Sequence, residues 1–378
     1  MTRSRTVTWL LTGLVFAGSL AGPARGPVSA GVEFRPALAG YAYRFPADHG
    51  AHEEFRTEWW YYTGHLSSGD GRRFGFQLTF FRRGVEQESA RASKSRWAIR
   101  HLYLAHLALS DHDRGRFRFA EKVSRAGLGK AGAESGRLHV WIDRWSAEAR
   151  PGEPERHRLK AQTDGFAIDL VVAPEKPPVI HGEDSVSRKG RAPEQASHYY
   201  SLPRLATTGS LTVDGERLAV TGTSWMDHEF GSGDLAPDQV GWDWFSVQLD
   251  DRTELMLYRL RRTDGTVDPS SSGTLVFPDG RTRHLRNQEI RVESLDSWLS
   301  AASGARYPSR WRIAVPESNL SLELTPLLAS QELITRRSTQ VTYWEGAVRV
   351  TGRRDDKPVS GLGYVELTGY AERFKQRL

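Results

Sequence analysis

The sequence predicts an all-β protein of barrels or sandwiches, built from two copies of one module. Three observations lead to this prediction. Short runs alternate apolar and polar residues with a period of two, as half-buried strands do, and turn residues separate them. The Asp-Gly dipeptide, a strong hairpin signal, occurs at residues 70–71, 214–215, 264–265 and 279–280. Two segments of the first half also recur, in the same order, in the second half.

The predicted strands follow one another along the chain with little helical periodicity between them. Residues 331–336 and the tail from Ala371 are only weak helical candidates. Residues 153–191, rich in Pro, Gly and charge, are expected to form a long loop within the first copy. The clearest alternating runs are residues 74–80, 211–213, 218–220, 311–315 and 348–350.

The internal repeat sets the expected domain boundaries. Residues 58–66 (Glu-Trp-Trp-Tyr-Tyr-Thr-Gly-His-Leu) align with residues 241–249 (Gly-Trp-Asp-Trp-Phe-Ser-Val-Gln-Leu). Later in each copy two further motifs align, Gly222-x-x-Trp225-x-Asp227 and Gly361-x-x-Tyr364-x-Glu366. We therefore expect a signal peptide and linker in residues 1–30, a first domain in residues 40–238 and a second in residues 239–378.

The composition is that of a folded globular protein. Of 378 residues, 26% are charged and 38% hydrophobic, which excludes a disordered chain and leaves room for real cores. The net charge of +6 is the difference between 52 Lys and Arg residues and 46 Asp and Glu residues, and the basic residues are scattered along the chain as Arg-Arg pairs. Scattered charge indicates a solvated surface, so no nucleic-acid partner is predicted.

The first 21 residues resemble a secretory signal. Arg3 and Arg5 precede an apolar run too short to span a bilayer, and small residues follow it, with Ala30 as a second cleavage candidate. The chain has no cysteine, so it has neither a lipidation thiol nor a disulfide framework. The protein is therefore predicted to be periplasmic or secreted after cleavage.

Several common chemistries have no sequence signature here. The twelve histidines form no His-x-His or His-Glu-x-x-His motif, so no metal site is predicted. No Gly-x-Ser-x-Gly elbow occurs, and a cysteine nucleophile is impossible. The remaining options use carboxylate, imidazole and phenol groups, without a cofactor.

The stretch around Asp227 and His228 is the main candidate for such chemistry. Adjacent residues on a strand point to opposite faces, so only one of the two can line a given cavity. A buried Asp227 would have a raised pKa suited to a general acid, whereas His228 titrates near neutrality. Tyr258, on the strand expected to pair with residues 242–249, is the third candidate. The alternative is structural: Asp227 caps a turn, His228 bonds a backbone carbonyl and the tryptophans fill a core.

Large aromatic residues surround these candidates. Four consecutive aromatics at residues 59–62 must present two rings to each face of a strand, which suits either core packing or a cavity for a long apolar ligand. A barrel of about eight strands can hold one such molecule. The predicted ligand-binding residues are Trp225, Phe230, Trp242, Trp244, Trp59 and Tyr61.

Four motifs together resemble the secreted branch of the carotenoid 1,2-hydratase (hydroxyneurosporene synthase) superfamily. They are His52-x-x-Phe55-x-x-Glu58-Trp59-Trp60-Tyr61-Tyr62, Ser224-Trp225-Met226-Asp227-His228-Glu229-Phe230-Gly231, Gly241-Trp242-Asp243-Trp244-Phe245 and Tyr364-x-Glu366-Leu367-Thr368-Gly369-Tyr370. The resemblance implies two lipocalin-like β-domains, a pocket within or between them, and addition of water to the terminal double bond of an acyclic carotenoid. It implies no metal or organic cofactor.

The resemblance also carries over individual residues. His228 and Tyr258 match the family's functional His and Tyr. Phe230 stands where the family has Trp, and Leu260 stands where it has Asp. The repeat adds that Asp227 has a counterpart in Glu366, whereas Leu367 holds the place of His228, which makes His228 the sharper catalytic candidate.

Two functions follow as hypotheses from the sequence. The first is an exported protein that binds a long apolar isoprenoid or polyene and hydrates it by acid catalysis, with Asp227 as general acid, His228 as acid, base or water-orienting group, and Tyr258 as hydrogen-bond donor. The alternative is a non-catalytic carrier of lipid or another apolar ligand. In either case the expected partner is an apolar small molecule, and peripheral contact with a membrane is part of the expectation.

Overall fold

The computed structural model describes residues 34–85 and 99–374, and it confirms the all-β, lipocalin-like prediction. The predicted signal peptide lies outside the described residues. Within them, short 3₁₀ helices occur at Ala47–His49, Asn287–Glu289 and Pro316–Ser318. None of the helices in this part of the chain is long and apolar enough to span a membrane.

The first sheet has thirteen antiparallel strands and curls into a nearly closed barrel. Its main path runs β4-β3-β2-β1-β13-β12-β9-β8-β7-β6-β5, and β10 and β11 pair with β12. The strands are β1 (Thr57–Ser68), β2 (Arg73–Gly84), β3 (His101–Asp111), β4 (Arg116–Arg125), β5 (Ala131–Ala133), β6 (His139–Ile142), β7 (Trp145–Arg150), β8 (Glu153–Gln162), β9 (Phe166–Pro174), β10 (Val179–Ile180), β11 (Ser187–Arg188), β12 (Ala196–Val213) and β13 (Glu216–Gly231).

The second sheet has ten strands and forms a half-barrel. Its path runs β17-β16-β15-β14-β23-β22-β20-β19-β18, and β21 pairs with β22. The strands are β14 (Gln239–Leu249), β15 (Glu254–Arg262), β16 (Ser272–Val276), β17 (Thr282–Arg286), β18 (Arg291–Leu299), β19 (Arg306–Val315), β20 (Leu320–Pro326), β21 (Glu332–Ile334), β22 (Thr342–Arg354) and β23 (Lys357–Leu367).

The strand register reproduces the alignment of the two repeats. In the first sheet Tyr61 lies opposite Asp227, and in the second sheet Trp244 lies opposite Glu366. These are the residues that the sequence alignment makes equivalent. The two copies therefore share one arrangement, in which the strand that opens the module pairs with the strand that closes it.

Both long hairpins that carry the closing strands turn in the same way. Asp214 and Gly215, between β12 and β13, have φ angles of 53° and 83°. Asp355 and Asp356, between β22 and β23, have φ angles of 46° and 59°. Positive φ at both central residues is typical of the type I′ turn, whose twist matches that of the flanking strands.

Two local predictions are wrong. The expected loop at residues 153–191 contains the β8–β9 hairpin, whose apolar residues alternate inward: Leu159, Ala161, Phe166, Ile168, Leu170 and Val172 are all buried. Burial of this face outweighs the Pro, Gly and charged residues around it. The weak helical candidate at residues 331–336 contains β21, since pairing with β22 fixes it as a strand.

The aromatic strand β1 is buried on both faces. Trp60 and Tyr62 point into the barrel and join its core, which also contains Phe76 and Phe80. The alternate residues point outward, where Tyr61 packs in a second apolar cluster with residues of both sheets. The outer face of the first sheet is therefore the face that meets the second sheet.

The two sheets are packed tightly against each other. A Cβ at Gly75 of β2 would lie 2.7 Å from the Tyr364 hydroxyl and 2.9 Å from Ala347, so only glycine allows this approach. The His65 ring donates from Nε2 to the carbonyl of Gly363 at 2.9 Å. These contacts join β1 and β2 to β22 and β23 across the interface.

The segment between β9 and β12 ties the two sheets together. The buried Lys176 ammonium lies 2.6 Å from Glu254 Oε2 and also donates to the carbonyls of Arg252 and Phe277. Arg204 binds the other oxygen of Glu254 at 2.6 Å. All three charged groups thus find partners within the interface.

Candidate functional site

A cavity of about 250 Å³ lies between the outer faces of the two sheets, and we call it the interdomain cavity. It is walled by β1, β2, β3, β12 and β13 from the first sheet and by β14, β15, β22 and β23 from the second. Six of the predicted site residues line it: Trp59, Tyr61, Asp227, Trp242, Trp244 and Tyr258. Trp225, Phe230 and His228 are not among the described residues of its wall.

Asp227 presents a buried carboxyl group to this cavity. Its Oδ1 accepts hydrogen bonds from Ser201 Oγ and from Trp225 Nε1, the latter at 2.6 Å, and its Oδ2 accepts one from the Tyr199 hydroxyl at 2.5 Å. Burial raises the pKa of Asp227 to about 7, against the lowering effect of these hydrogen bonds. The group can therefore gain or lose a proton near neutral pH.

Tyr199 connects Asp227 to the second domain. Its hydroxyl oxygen accepts a hydrogen bond from Trp244 Nε1 at 3.0 Å while it donates to Asp227. Burial raises the pKa of Tyr199 well above its ordinary value, so the phenol stays protonated. When Asp227 is also protonated, its proton can point to the Tyr199 oxygen, and the phenol proton is then free to turn towards the cavity.

Ser201 is itself held by a buried histidine from the segment that bridges the sheets. His181 Nε2 lies 2.6 Å from Ser201 Oγ, and His181 Nδ1 lies 2.8 Å from Thr274 Oγ1 of the second sheet. Burial holds the pKa of His181 well below its ordinary value, so the ring is neutral. Because Ser201 donates to Asp227, it accepts from His181, which fixes the proton of His181 on Nε2.

Glu366 brings the equivalent carboxyl group of the second repeat to the same cavity. Trp242 Nε1 donates to its Oε2 at 2.9 Å. Burial is the main cause that raises the pKa of Glu366 to about 7, and the nearby charges of Asp227 and Glu229 add to it. Each repeat thus supplies one carboxyl group, held by one indole N–H and able to titrate near neutrality.

Lys189 lies between two tyrosine rings on the cavity wall. Its ammonium is 3.8 Å from the centre of the Tyr258 ring and 5.0 Å from that of Tyr199, and it pairs with Glu229 at 3.2 Å. Burial lowers the pKa of Lys189, but the nearby Glu229 outweighs this and the pKa lies above its ordinary value. Glu229 and Lys189 therefore form a compensated ion pair beside Asp227.

Tyr258 and Tyr61 lie on the wall with their hydroxyl groups engaged by protein. The Tyr258 hydroxyl donates to the carbonyl of Arg188 at 3.0 Å and accepts from Ser272 at 3.0 Å. The Tyr61 hydroxyl donates to Glu345 Oε1 at 2.6 Å, and burial raises the pKa of Glu345 well above its ordinary value. Both tyrosines therefore offer their rings, rather than their hydroxyl groups, to a ligand.

His228 lies on the other side of the sheet, inside the barrel. Its Nε2 donates to Glu58 Oε1 at 2.9 Å, and its Nδ1 accepts from the Tyr200 hydroxyl at 3.0 Å. Burial lowers the pKa of His228 to about 4, so the ring is neutral at pH 7. Phe230 shares this interior and stacks on His52 with ring centres 3.7 Å apart.

The same interior contains the grouping of described residues that could best hold a metal ion: His52, Glu58 and His228. Glu58 is, however, already paired with the buried Arg82 at 2.9 Å and with His52 Nδ1 at 2.9 Å. Asp48 and Glu58 raise the pKa of His52 to about 9 despite its burial, so its ring is cationic. Two positive groups thus balance Glu58, and a divalent cation would have to displace them.

Trp225 does not line the cavity, but it contacts two residues that do. Its indole N–H binds Asp227, and its ring packs edge to face on Trp244 with ring centres 6.3 Å apart. Sequence reasoning missed Tyr199, Ser201 and Lys189, which come from a stretch without a motif. The register of β12 against β13 would have revealed the first two, because Tyr199 and Ser201 lie opposite Glu229 and Asp227.

The fold and the site together define a two-domain, lipocalin-like β-barrel protein with a ligand-type cavity between its domains. The family model described as AttH-like matches residues 36–370, and the chain belongs to this family. No curated protein matches the chain significantly by sequence.

Solved structures agree with this assignment. The crystal structure of an AttH protein from Nitrosomonas europaea is 37% identical, with a TM-score of 0.79 over 89% of this chain and 99% of that one. Kievitone hydratase from Nectria haematococca shares the fold at 17% identity and a TM-score of 0.69, over 90% and 98% of the two chains. CghA in complex with Sch210972 shares it at 15% identity and a TM-score of 0.57, over 91% and 98%. The AttH-like family belongs to the carotenoid hydratase/lipocalin-like superfamily, so the predicted superfamily is confirmed by the family model and by the AttH structure.

Proposed function

We propose that the interdomain cavity binds an apolar isoprenoid and that Asp227 and Glu366 add water to one of its double bonds. The observation that carries this proposal is the pair of carboxyl groups on one aromatic wall, each with a pKa of about 7. Paired carboxyl groups poised near neutrality are the usual means of acid–base chemistry at pH 7. The relatives support it, since one of the proteins that share the fold is a hydratase.

Asp227 and Tyr199 supply the proton. The Tyr199 O–H bond breaks as its proton moves to the CH carbon of the trisubstituted double bond, so that the positive charge forms on the dimethyl-substituted carbon, and Asp227 passes its own proton to the Tyr199 oxygen. The π electron pair of the alkene forms the new C–H bond, which leaves a tertiary carbocation. Asp227 ends this step as a carboxylate, stabilised by Ser201 and Trp225.

The wall of the cavity suits the positive charge of that cation. The rings of Tyr61 and Trp244 meet edge to face with centres 5.2 Å apart, and Trp59 and Trp242 complete the wall. Aromatic faces attract cations through their quadrupole, most strongly away from water. The new charge on Asp227 adds to this stabilisation just as the cation forms.

Glu366 activates the water. Only its Oε2 has a protein partner within the described residues, so Oε1 is available to accept a proton from water. The water oxygen forms the C–O bond with the cation while its proton moves to Glu366. Water and alkene have then become a tertiary alcohol, and the proton returns from Glu366 to Asp227 through solvent before the next turnover.

The size of the cavity suits the end of a long isoprenoid better than a whole one. Its volume of about 250 Å³ lies below the roughly 300–1,000 Å³ typical of small-molecule sites. A short isoprenoid would be enclosed, whereas a carotenoid would insert its terminal double bond and leave the rest outside. We also propose export to the periplasm or beyond, which the signal-like residues at the start of the chain support.

The test measures binding and turnover separately. Geraniol and an acyclic carotenoid are offered to the purified protein, with calorimetry for binding and mass spectrometry for the tertiary alcohol. We expect both to bind and product to form, and we expect Asp227→Asn and Glu366→Gln to bind normally with product formation reduced at least 100-fold. Binding without any product in the wild type would contradict the hydratase and leave the carrier function.

A further inference from the structure

The interdomain cavity has an unmatched hydrogen-bond acceptor in its wall. Gln77, on β2, lines the cavity and is only 2% exposed. Its Nε2 donates to Thr79 Oγ1 at 3.0 Å and to the Tyr343 hydroxyl at 3.2 Å. Its Oε1 is buried and has no hydrogen-bond partner among the described residues. A buried polar atom without a partner is costly and marks a place where a ligand can complete the bonding.

The orientation of the Gln77 amide follows from a chain of hydrogen bonds that begins at Glu121. This carboxylate accepts from the backbone N–H of Ser338 at 2.8 Å and from Ser338 Oγ at 2.6 Å. A carboxylate only accepts, so the Ser338 hydroxyl is the donor and its oxygen must accept from the next group. That group is His106, whose Nε2 lies 2.8 Å away.

The donor and acceptor of each following hydrogen bond, as far as Gln77, are fixed in the same way. Burial lowers the pKa of His106 to about 3, so the ring is neutral and carries one proton, on Nε2. Its Nδ1 therefore accepts from the Tyr343 hydroxyl, 2.7 Å away. Burial raises the pKa of Tyr343 well above its ordinary value, which keeps that hydroxyl proton in place. The Tyr343 oxygen must then accept from Gln77, so the amide nitrogen faces Tyr343 and Oε1 is the atom left over.

We propose that the ligand of the interdomain cavity carries a hydroxyl group, or another neutral hydrogen-bond donor, that binds Gln77 Oε1. This inference names the substrate class of the proposed site and rests on that site binding an isoprenoid. Gln77 on β2 and Asp227 on β13 lie on opposite sides of β1, because β2 and β13 flank β1. The donor group of the ligand therefore lies on the opposite side of β1 from Asp227. With strands about 4.8 Å apart, and a two-residue offset along the strand, the two residues are about 12 Å apart at their Cα atoms. The ligand is thus an isoprenoid alcohol whose reacting double bond lies away from its hydroxyl end.

The chain of hydrogen bonds from Glu121 to Gln77 contains residues of both domains. The preference for a ligand with a hydrogen-bond donor is therefore a property of the assembled cavity. Glu121, His106 and Gln77 lie on β4, β3 and β2 of the first sheet. Tyr343 lies on β22 of the second sheet, and Ser338 lies in the connection between β21 and β22. Without the second domain, the Gln77 amide would keep only its contact with Thr79 Oγ1, a hydroxyl that can donate or accept and therefore does not fix which end of the amide faces it. Together the two domains fix the amide oxygen as an acceptor before any ligand arrives.

The test compares three probes of nearly the same shape by calorimetry. Geraniol has a hydroxyl donor, geranyl methyl ether has an acceptor but no donor, and 2,6-dimethylocta-2,6-diene has neither. We expect geraniol to bind about ten-fold more tightly than the ether and the hydrocarbon, the effect of one buried hydrogen bond. Equal affinity of the alcohol and the ether for the wild-type protein would overturn the proposal.

Variants locate the effect at Gln77. Gln77→Leu should bind the three probes alike, and Tyr343→Phe, which removes the acceptor that orients the amide, should lose part of the preference. Gln162→Leu makes the same substitution at an exposed position of β8 and should keep it. An unchanged preference in both Gln77→Leu and Tyr343→Phe would overturn the inference. Calorimetry reports the affinity and mass spectrometry reports the product, so the two proposals fail separately. A protein that prefers the alcohol but forms no product would support the inference and contradict the hydratase.

Discussion

Asp227 and His228 are neighbours in the chain, yet their carboxyl and imidazole groups lie on opposite faces of the first sheet. Asp227 faces the interdomain cavity, and His228 faces the barrel interior, where it binds Glu58 and Tyr200. The alternation of side chains along a strand enforces this separation. The proposed chemistry therefore uses Asp227, whereas His228 holds β13 to β1 and β12 from the inside.

This separation predicts that a change at His228 lowers stability but leaves turnover nearly unchanged. His228→Ala removes a hydrogen-bond partner from the fully buried Glu58 and leaves a cavity, so we expect the free energy of unfolding to fall by about 3 kcal/mol. Turnover per folded molecule should stay within about three-fold of the wild type. Urea denaturation and assays on the folded fraction check both points.

His139→Ala is the matched control for that variant. His139 is 25% exposed and pairs with Glu134 at the surface, so its loss should change the free energy of unfolding by less than about 1 kcal/mol. A large loss of turnover in folded His228→Ala would restore the catalytic role that the sequence suggested for this residue.

The raised pKa of Asp227 predicts how stability depends on pH. The unfolded carboxyl titrates near 3.8 and the folded one near 7, so the folded state binds more protons between these values. The stabilisation is complete below about pH 4 and is lost as the pH rises to about 7, by at most ~1.4 kcal/mol per pH unit. Asp227→Asn cannot titrate, so its free energy of unfolding should fall less than that of the wild type over this range. Parallel curves for the two proteins would contradict the assigned pKa.

The hydrogen bond from Ser201 predicts a second change in titration. Ser201→Ala removes a donor that favours the Asp227 carboxylate, so the pKa of Asp227 should rise by about one unit. The pH range over which stability is lost should then extend about one unit higher. Ser210→Ala, on the same strand and outside the cavity wall, should leave that range where it is in the wild type.

The ion pair between the sheets predicts a large loss of stability. Lys176→Met leaves Glu254 without the buried ammonium that binds it, and we expect the free energy of unfolding to fall by about 3–5 kcal/mol. Arg281→Met breaks a pair with Asp279 in which both side chains are more than half exposed, and the free energy of unfolding should stay close to that of the wild type. Similar losses in the two variants would show that the interface does not depend on the buried pair.

The fold was largely predictable because it depends on patterns that repeat along the chain. Period-two alternation and turn dipeptides predict the strands, and the repeat makes Tyr61 equivalent to Trp244 and Asp227 equivalent to Glu366. The structure adds that these residues lie opposite each other, Tyr61 with Asp227 and Trp244 with Glu366. The β8–β9 hairpin was missed because its outward residues are so polar that they hide the inward alternation. The strands of this hairpin can be identified only from the burial of their inward residues in the barrel core.

The site was only partly predictable, for a physical reason. Both faces of β1 are aromatic, so the sequence does not distinguish the rings of the barrel core, such as Trp60, from those of the cavity, such as Trp59. The repeat identifies Glu366 as the counterpart of Asp227, and for that reason the sequence favours His228 over Asp227 as the catalytic residue. That both carboxyl groups reach one cavity depends on how the two sheets pack, which no local pattern encodes.

The most direct test of the proposed hydratase follows the oxygen of water. Geraniol is incubated with the protein at pH 7 in H₂¹⁸O, and mass spectrometry measures ¹⁸O in the tertiary alcohol. We predict one ¹⁸O atom per product molecule with the wild type, and a rate at least 100-fold lower with Asp227→Asn and with Glu366→Gln, each still binding geraniol. Incorporation at an unchanged rate in both variants, or none in a wild-type protein that binds geraniol, would contradict acid–base hydration in the interdomain cavity.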